Sequence, residues 1–255
     1  RIPNAVSSVN LRARDFAALQ TLKKQIEEDD QFNLQAQTEV DTALVLAVDS
    51  SGSIDADEFK LQKEGIAQAI TNARVLDAVR SGPNRRIAIA YVEWGGPGTA
   101  QTIVKWHVVS SQETAEEFAA AVIAAPRSTQ SYNAIGDAID HGVELLKACP
   151  CKPTRRVIDI SGDNADMRSL RPAPVARDAA VAQRITINAL AVLSSGGSGG
   201  HPDLVGYYET NVIGGRGAFV LPAKGRDDFV RAMREKMILE VAWDRPVNLP
   251  ETVQD

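Results

Sequence analysis

A chain of 255 residues with 44% apolar and 24% charged side chains has globular composition and room for one large α/β domain plus an extension. Its formal net charge of -5 and pI near 5.4 exclude the basic footprint that nucleic acid or an anionic membrane surface requires. No run approaches the roughly 18 continuous apolar residues of a membrane-spanning helix.

The chain opens on Arg1 without an apolar leader, so a processed or cloned fragment is expected, with any targeting segment missing from it. Within residues 1–40, Phe16, Leu19, Leu22 and Ile26 recur at steps of three and four among polar residues, the stripe of an amphipathic helix. The acidic run Glu27, Glu28, Asp29, Asp30 ends it. Such a helix either packs on the domain or docks a partner, and the sequence leaves both open.

From Thr42 the pattern alternates between β and α. Residues 43–48 form an apolar run ending in Asp49, as a strand buried on both faces reads. Asp55 and Glu58 then make a capping box for a helix with Phe59, Ile66 and Ile70 on its apolar side. Strands are predicted over 87–92, 102–109, 156–160, 186–192 and 218–221, and helices over 113–125, 134–147, 175–184, 202–212 and 226–240. Helical crossovers of this length imply a doubly wound, mainly parallel sheet covered on both faces. The Gly-Gly-Pro-Gly turn from Gly95 to Gly98 is too short for a crossover, so the strand after it is an antiparallel edge strand. Gly214, Gly215 and Gly217 serve a turn before the last strand, and Tyr207 and Tyr208 pack the short helix before it. The expected organisation is an extension over 1–40, a domain over 41–243 and a polar tail over 244–255.

At the end of the first strand, Asp49, Ser51 and Ser53 put a carboxylate and two hydroxyls at alternate positions of a tight turn that Gly52 allows to fold. Hard oxygen ligands suit Mg²⁺, Mn²⁺ or Ca²⁺ rather than zinc or copper. The alternative is that Asp49 caps the next helix while both serines satisfy loop amides. The two cysteines, Cys149 and Cys151, lack CxxC spacing and are either surface thiols or a local disulfide.

Buried strand, Asp-x-Ser-x-Ser, capped helix and doubly wound sheet together resemble the von Willebrand factor A (vWA) domain over residues 41–243. Segments such as residues 44–49, 91–94, 155–163 and 212–219 are similar to a bacterial branch of secreted proteins with this domain. The resemblance implies a metal-ion-dependent adhesion site that captures a partner's Asp or Glu, and export to the periplasm or beyond. The family's Thr before the helix predicted over 134–147 aligns with Asn133, with Thr129 or Ser131 able to reach in instead. The family's Asp after the fourth strand aligns with Asp163, shifted by one residue, ahead of Asp159, which alternates toward a helix. The metal set implied is Asp49, Ser51, Ser53, Asn133 and Asp163, with Glu93, Thr129, Ser131 and Asn164 on the partner-binding rim. Glu93 could also lie near the ion, and its alternative is to be solvated while Trp94 packs on the sheet edge.

An enzyme is the competing class. GxxxxGK[ST] and a strand-to-helix GxGxxG are both missing, and His107, His141 and His201 do not form HExxH. A further alternative is a structural subunit of a larger complex, docked by the N-terminal helix, with a vestigial or purely structural metal site.

Overall fold

The computed structural model describes residues 20–21, 38–52, 56–128, 131–193 and 201–243. Its first strand, β1 (Glu39–Asp49), sits at the centre of a six-stranded sheet. Apolar residues at every position from 43 to 48 explain that place, because both faces are covered. Leu44, Leu46 and Val48 enter one core, and Ala43, Val45 and Ala47 enter the other. Each Leu or Val so buried contributes about 1.5–3 kcal/mol, which fixes the register of this strand more firmly than any other feature.

The helices α1 (Ala56–Ile70) and α2 (Ala73–Arg80) lead to β2 (Ile87–Trp94), which pairs parallel with β1. The edge strand β3 (Gln101–Val109) runs antiparallel to β2, as the short turn predicts. Then follow α3 (Gln112–Ala124), α4 (Ile135–Lys147), β4 (Lys152–Gly162), α5 (Ala173–Ala182), β5 (Ile185–Val192), α6 (Leu204–Asn211), β6 (Val220–Ala223) and α7 (Arg226–Val241). The sheet order is β3-β2-β1-β4-β5-β6, and β4 pairs parallel with β1. The order reverses between β1 and β4, so their carboxyl ends frame the crevice where such sheets hold ligands.

The predicted apolar side of α1 is realised, with Phe59, Ile66 and Ile70 all buried. Helix α2 was not anticipated. Its eight residues span two turns, and it is held by the Asn72 side chain accepting from the Arg74 amide and by burial of Val75, Leu76 and Val79. The last strand begins at Val220 rather than near 218, because the Gly215 and Gly217 turn (φ 94° and 67°) extends further. Cys149 and Cys151 form a disulfide within the α4–β4 connection, with Cα atoms 5.3 Å apart. Apart from residues 20 and 21, the expected N-terminal helix lies outside the described residues, as does the tail.

Candidate metal centre

Three connections meet at the carboxyl edge around the reversal point. One follows β1, one precedes α4, and one follows β4. Asp49, the last residue of β1, is fully buried, and its Oδ1 accepts the Ser51 amide at 2.7 Å. Oδ2 is buried without a hydrogen-bond partner. Burial first, and the charge of Asp163 second, push the Asp49 carboxyl well above the usual carboxylate range. Asp49 and Asp163 thus face each other across the β1–β4 crevice. Ser51 is buried beside Asp49 and bonds its carboxylate. Ser53 and Thr129 lie outside the described residues.

Asn133, 5% exposed, precedes α4 with its Oδ1 also buried and lacking a hydrogen-bond partner. Its backbone is fixed on both sides: the Ala134 amide donates to the Gly95 carbonyl at 2.7 Å, and the Met167 amide to the Asn133 carbonyl at 2.6 Å. Ser131 is exposed on the same loop. The Asn164 side chain accepts from the Ala165 amide, and the Asn164 backbone carbonyl accepts from the Tyr208 hydroxyl at 3.1 Å.

One residue departs from its expected place, and two do more than expected. Glu93 is neither solvated nor on the rim but fully buried: its carboxylate accepts the Tyr91 hydroxyl at 3.3 Å and the Ser128 amide at 2.6 Å. It ties the loop before α4 to the end of β2. Tyr207 and Tyr208 do more than pack their helix. The Tyr207 hydroxyl accepts the Asp166 amide, and fully buried Tyr208 holds Asn164, so both fix the loop that carries Asp163. Gly162 is required there, since a Cβ would lie 2.7 Å from the Tyr208 hydroxyl and 3.1 Å from the Trp94 ring.

Two supporting residues escaped the sequence reading. Arg127 donates to the Ser50 and Ser51 carbonyls at 3.1 and 3.0 Å and stacks on Phe59, clamping the turn after Asp49. Asp166 accepts the Ile135 amide at 2.8 Å and the Ala173 amide at 3.1 Å, capping α4 and α5 at once. Asp159 faces away from this centre, with its Oδ1 2.6 Å from Lys236 on α7. The histidines are dispersed: His141 meets Thr102, His107 packs on Phe118 and His201 on Tyr207.

Among the described residues no three His, Cys, Asp or Glu side chains converge. The donors at the β1–β4 crevice are carboxylate, hydroxyl and amide oxygens. Buried oxygens without partners, on Asp49 and Asn133, fit a hard divalent cation.

This architecture is a vWA-type fold, and solved structures of that fold align with it. Proximal thread matrix protein 1 from the mussel byssus, in a form with a zinc-occupied metal-ion-dependent adhesion site, aligns at 17% identity with TM-score 0.56 over 80% of this chain and 46% of its own. A von Willebrand factor type A protein from Catenulispora acidiphila aligns at 15% identity, TM-score 0.55, over 79% of this chain and 43% of its own. The pilus adhesin SpaC from Lactobacillus rhamnosus GG aligns at 12% identity, TM-score 0.56, over 79% and 31%. The chain therefore spans less than half the length of these proteins. No curated protein sequence matches it. The chain belongs to the family described as "Protein of unknown function (DUF1194)", whose pattern matches residues 39–245. No helix among the described residues is long and apolar enough to cross a membrane.

Proposed function

We propose that this chain is a divalent-cation-dependent protein-binding module for adhesion or assembly, not an enzyme. In this reading Asp49, Ser51, Ser53, Asn133 and Asp163 hold Mg²⁺, or Mn²⁺ or Ca²⁺. The carrying observation is the pair of buried, partnerless oxygens, Asp49 Oδ2 and Asn133 Oδ1, on loops that meet at one edge of the sheet. A bound cation supplies charge for Asp49 and Asp163 and a coordination position open to a partner's Asp or Glu. The chain's own residues keep that position ready: Arg127 holds the turn after Asp49, Glu93 the loop before α4, and Tyr208 the loop after β4.

The zinc-occupied site of the byssus protein and the adhesin among the aligned structures support a cation-centred interaction role. The Cys149–Cys151 disulfide favours an oxidising compartment, periplasmic or extracellular. The structural-subunit alternative draws on the Asp49 Oδ1 bond to the Ser51 amide, which a purely capping carboxylate would also make. Thermal unfolding with each cation and with EDTA separates the two. Cation at about 100 times its Kd should stabilise the protein by roughly 2.7 kcal/mol, and Asp49→Ala should abolish the shift. An equal shift in that variant refutes the assignment.

A further inference from the structure

We propose that the cation centre is one half of a larger docking surface whose other half is made by Tyr132, Met167, Arg168 and Leu170. Its occupant is a protein segment in which an acidic residue stands next to a large apolar one. This deepens the reading above, resting on it for the acid but not for the apolar contact.

Among the described residues Tyr132, Met167 and Leu170 are 45%, 44% and 77% exposed, large apolar side chains that a free surface rarely groups. They belong together in space. The Met167 amide bonds the Asn133 carbonyl at 2.6 Å, the Arg168 guanidinium lies 4.7 Å from the centre of the Tyr132 ring, and the Leu170 side chain lies beside Gly98. The patch therefore adjoins a proposed cation ligand.

The backbone beneath is fixed. The Leu170 amide donates to Asp137 at 3.1 Å, and Asp166 and Ser169 bond the first amides of α4. Gly136 admits this approach, since a Cβ there would overlap the Arg171 carbonyl. Tyr132 and Arg168 both hold positive φ, 65° and 64°, in a left-handed region that residues other than glycine rarely occupy. Strained backbone supporting exposed apolar side chains marks a surface kept in shape for contact.

Charge decides the class of occupant. Arg171 is engaged by Asp140, whereas exposed Arg168 makes no ion pair among the described residues. A cation at Asp49 and this guanidinium both favour an anionic segment, while Tyr132, Met167 and Leu170 favour an apolar residue beside it.

A random dodecapeptide phage library, selected on the full chain in Mg²⁺, tests this. Recovered peptides should carry Asp or Glu adjacent to Leu, Ile, Met or Phe. M167S/L170S, which alters only exposed side chains, should weaken their binding about tenfold or more, and R168Q several-fold. Peptides without the apolar neighbour, unchanged binding to M167S/L170S, or no selected peptides would overturn the proposal. So would loss in that variant of binding to phosphatidylglycerol vesicles alone, which would make the patch a membrane contact. Elution by EDTA together with indifference to M167S/L170S leaves the cation reading standing and this one fallen. Binding that survives EDTA and Asp49→Ala but fails in M167S/L170S gives the reverse.

Discussion

Two groups of acids, one packed under α7 and one at the carboxyl edge of the sheet, are held differently. Under α7, Lys236 sits between Asp159 and Glu240 at 2.6 and 2.5 Å, with Asn188 donating to Glu240 at 3.0 Å, and all three charged residues are at most 1% exposed. At the carboxyl edge, Asp49 and Asp163 face each other, and the nearby arginine, Arg127, is turned onto the Ser50 and Ser51 carbonyls. The first group carries its own cation on the chain. The second has buried oxygens without hydrogen-bond partners on Asp49 and Asn133, and in the proposed function it takes its cation from solution. Built-in charge makes a structural anchor; the proposed borrowed charge would make the second group depend on the ions in solution.

Removing the built-in cation should have the largest effect. Lys236→Met strands Asp159 and Glu240 in the core and should cost about 3–5 kcal/mol by urea unfolding. A loss under 1 kcal/mol would deny the anchor its role.

The same anchor sets a pH dependence. Burial, then the Asp159 charge, raise Glu240 from 4.5 to about 7 against the opposing pull of Lys236. The facing groups are Asp159 on β4, Asn188 on β5 and Lys236 on α7 itself. A folded pKa above the unfolded one means the folded state holds the proton more tightly. The stability from this group is full below pH 4.5 and lost as pH rises through about 7. Glu240→Gln should therefore gain on the parent protein as pH increases from 5 to 8, and a constant difference would contradict the linkage. Cation binding at the other group should be little altered by this variant.

A smaller effect probes the edge itself. Asn133→Thr should keep cation affinity, and Asn133→Leu should lower it about tenfold, roughly 1.4 kcal/mol. Unchanged affinity in the leucine variant would pass the ligand role to Ser131 or Thr129.

How much of this the sequence disclosed follows from the range of each signal. The apolar run of β1 and its terminal Asp49 are local, and they were legible, as was the antiparallel turn to β3. Asp159 was read as turned toward a helix from strand alternation, and it meets α7. What escaped notice is long-range. Arg127 reaches a turn 77 residues earlier, Asp166 caps a helix 31 residues before it, and Tyr208 holds a loop 44 residues away. No periodicity encodes such pairings. Glu93 was misplaced for a related reason: a charged residue at a strand end is ordinarily solvated, and only the tertiary approach of Ser128 and the Tyr91 hydroxyl allows its burial.

The most direct test of the borrowed-cation claim is a Mn²⁺ titration followed by electron paramagnetic resonance, in which bound ion leaves the free-ion spectrum. One site should be found in the parent chain and in Glu240→Gln, and none in Asp49→Ala or Asp163→Ala. A site of undiminished affinity in Asp49→Ala, or no bound Mn²⁺ in the parent chain, would contradict it.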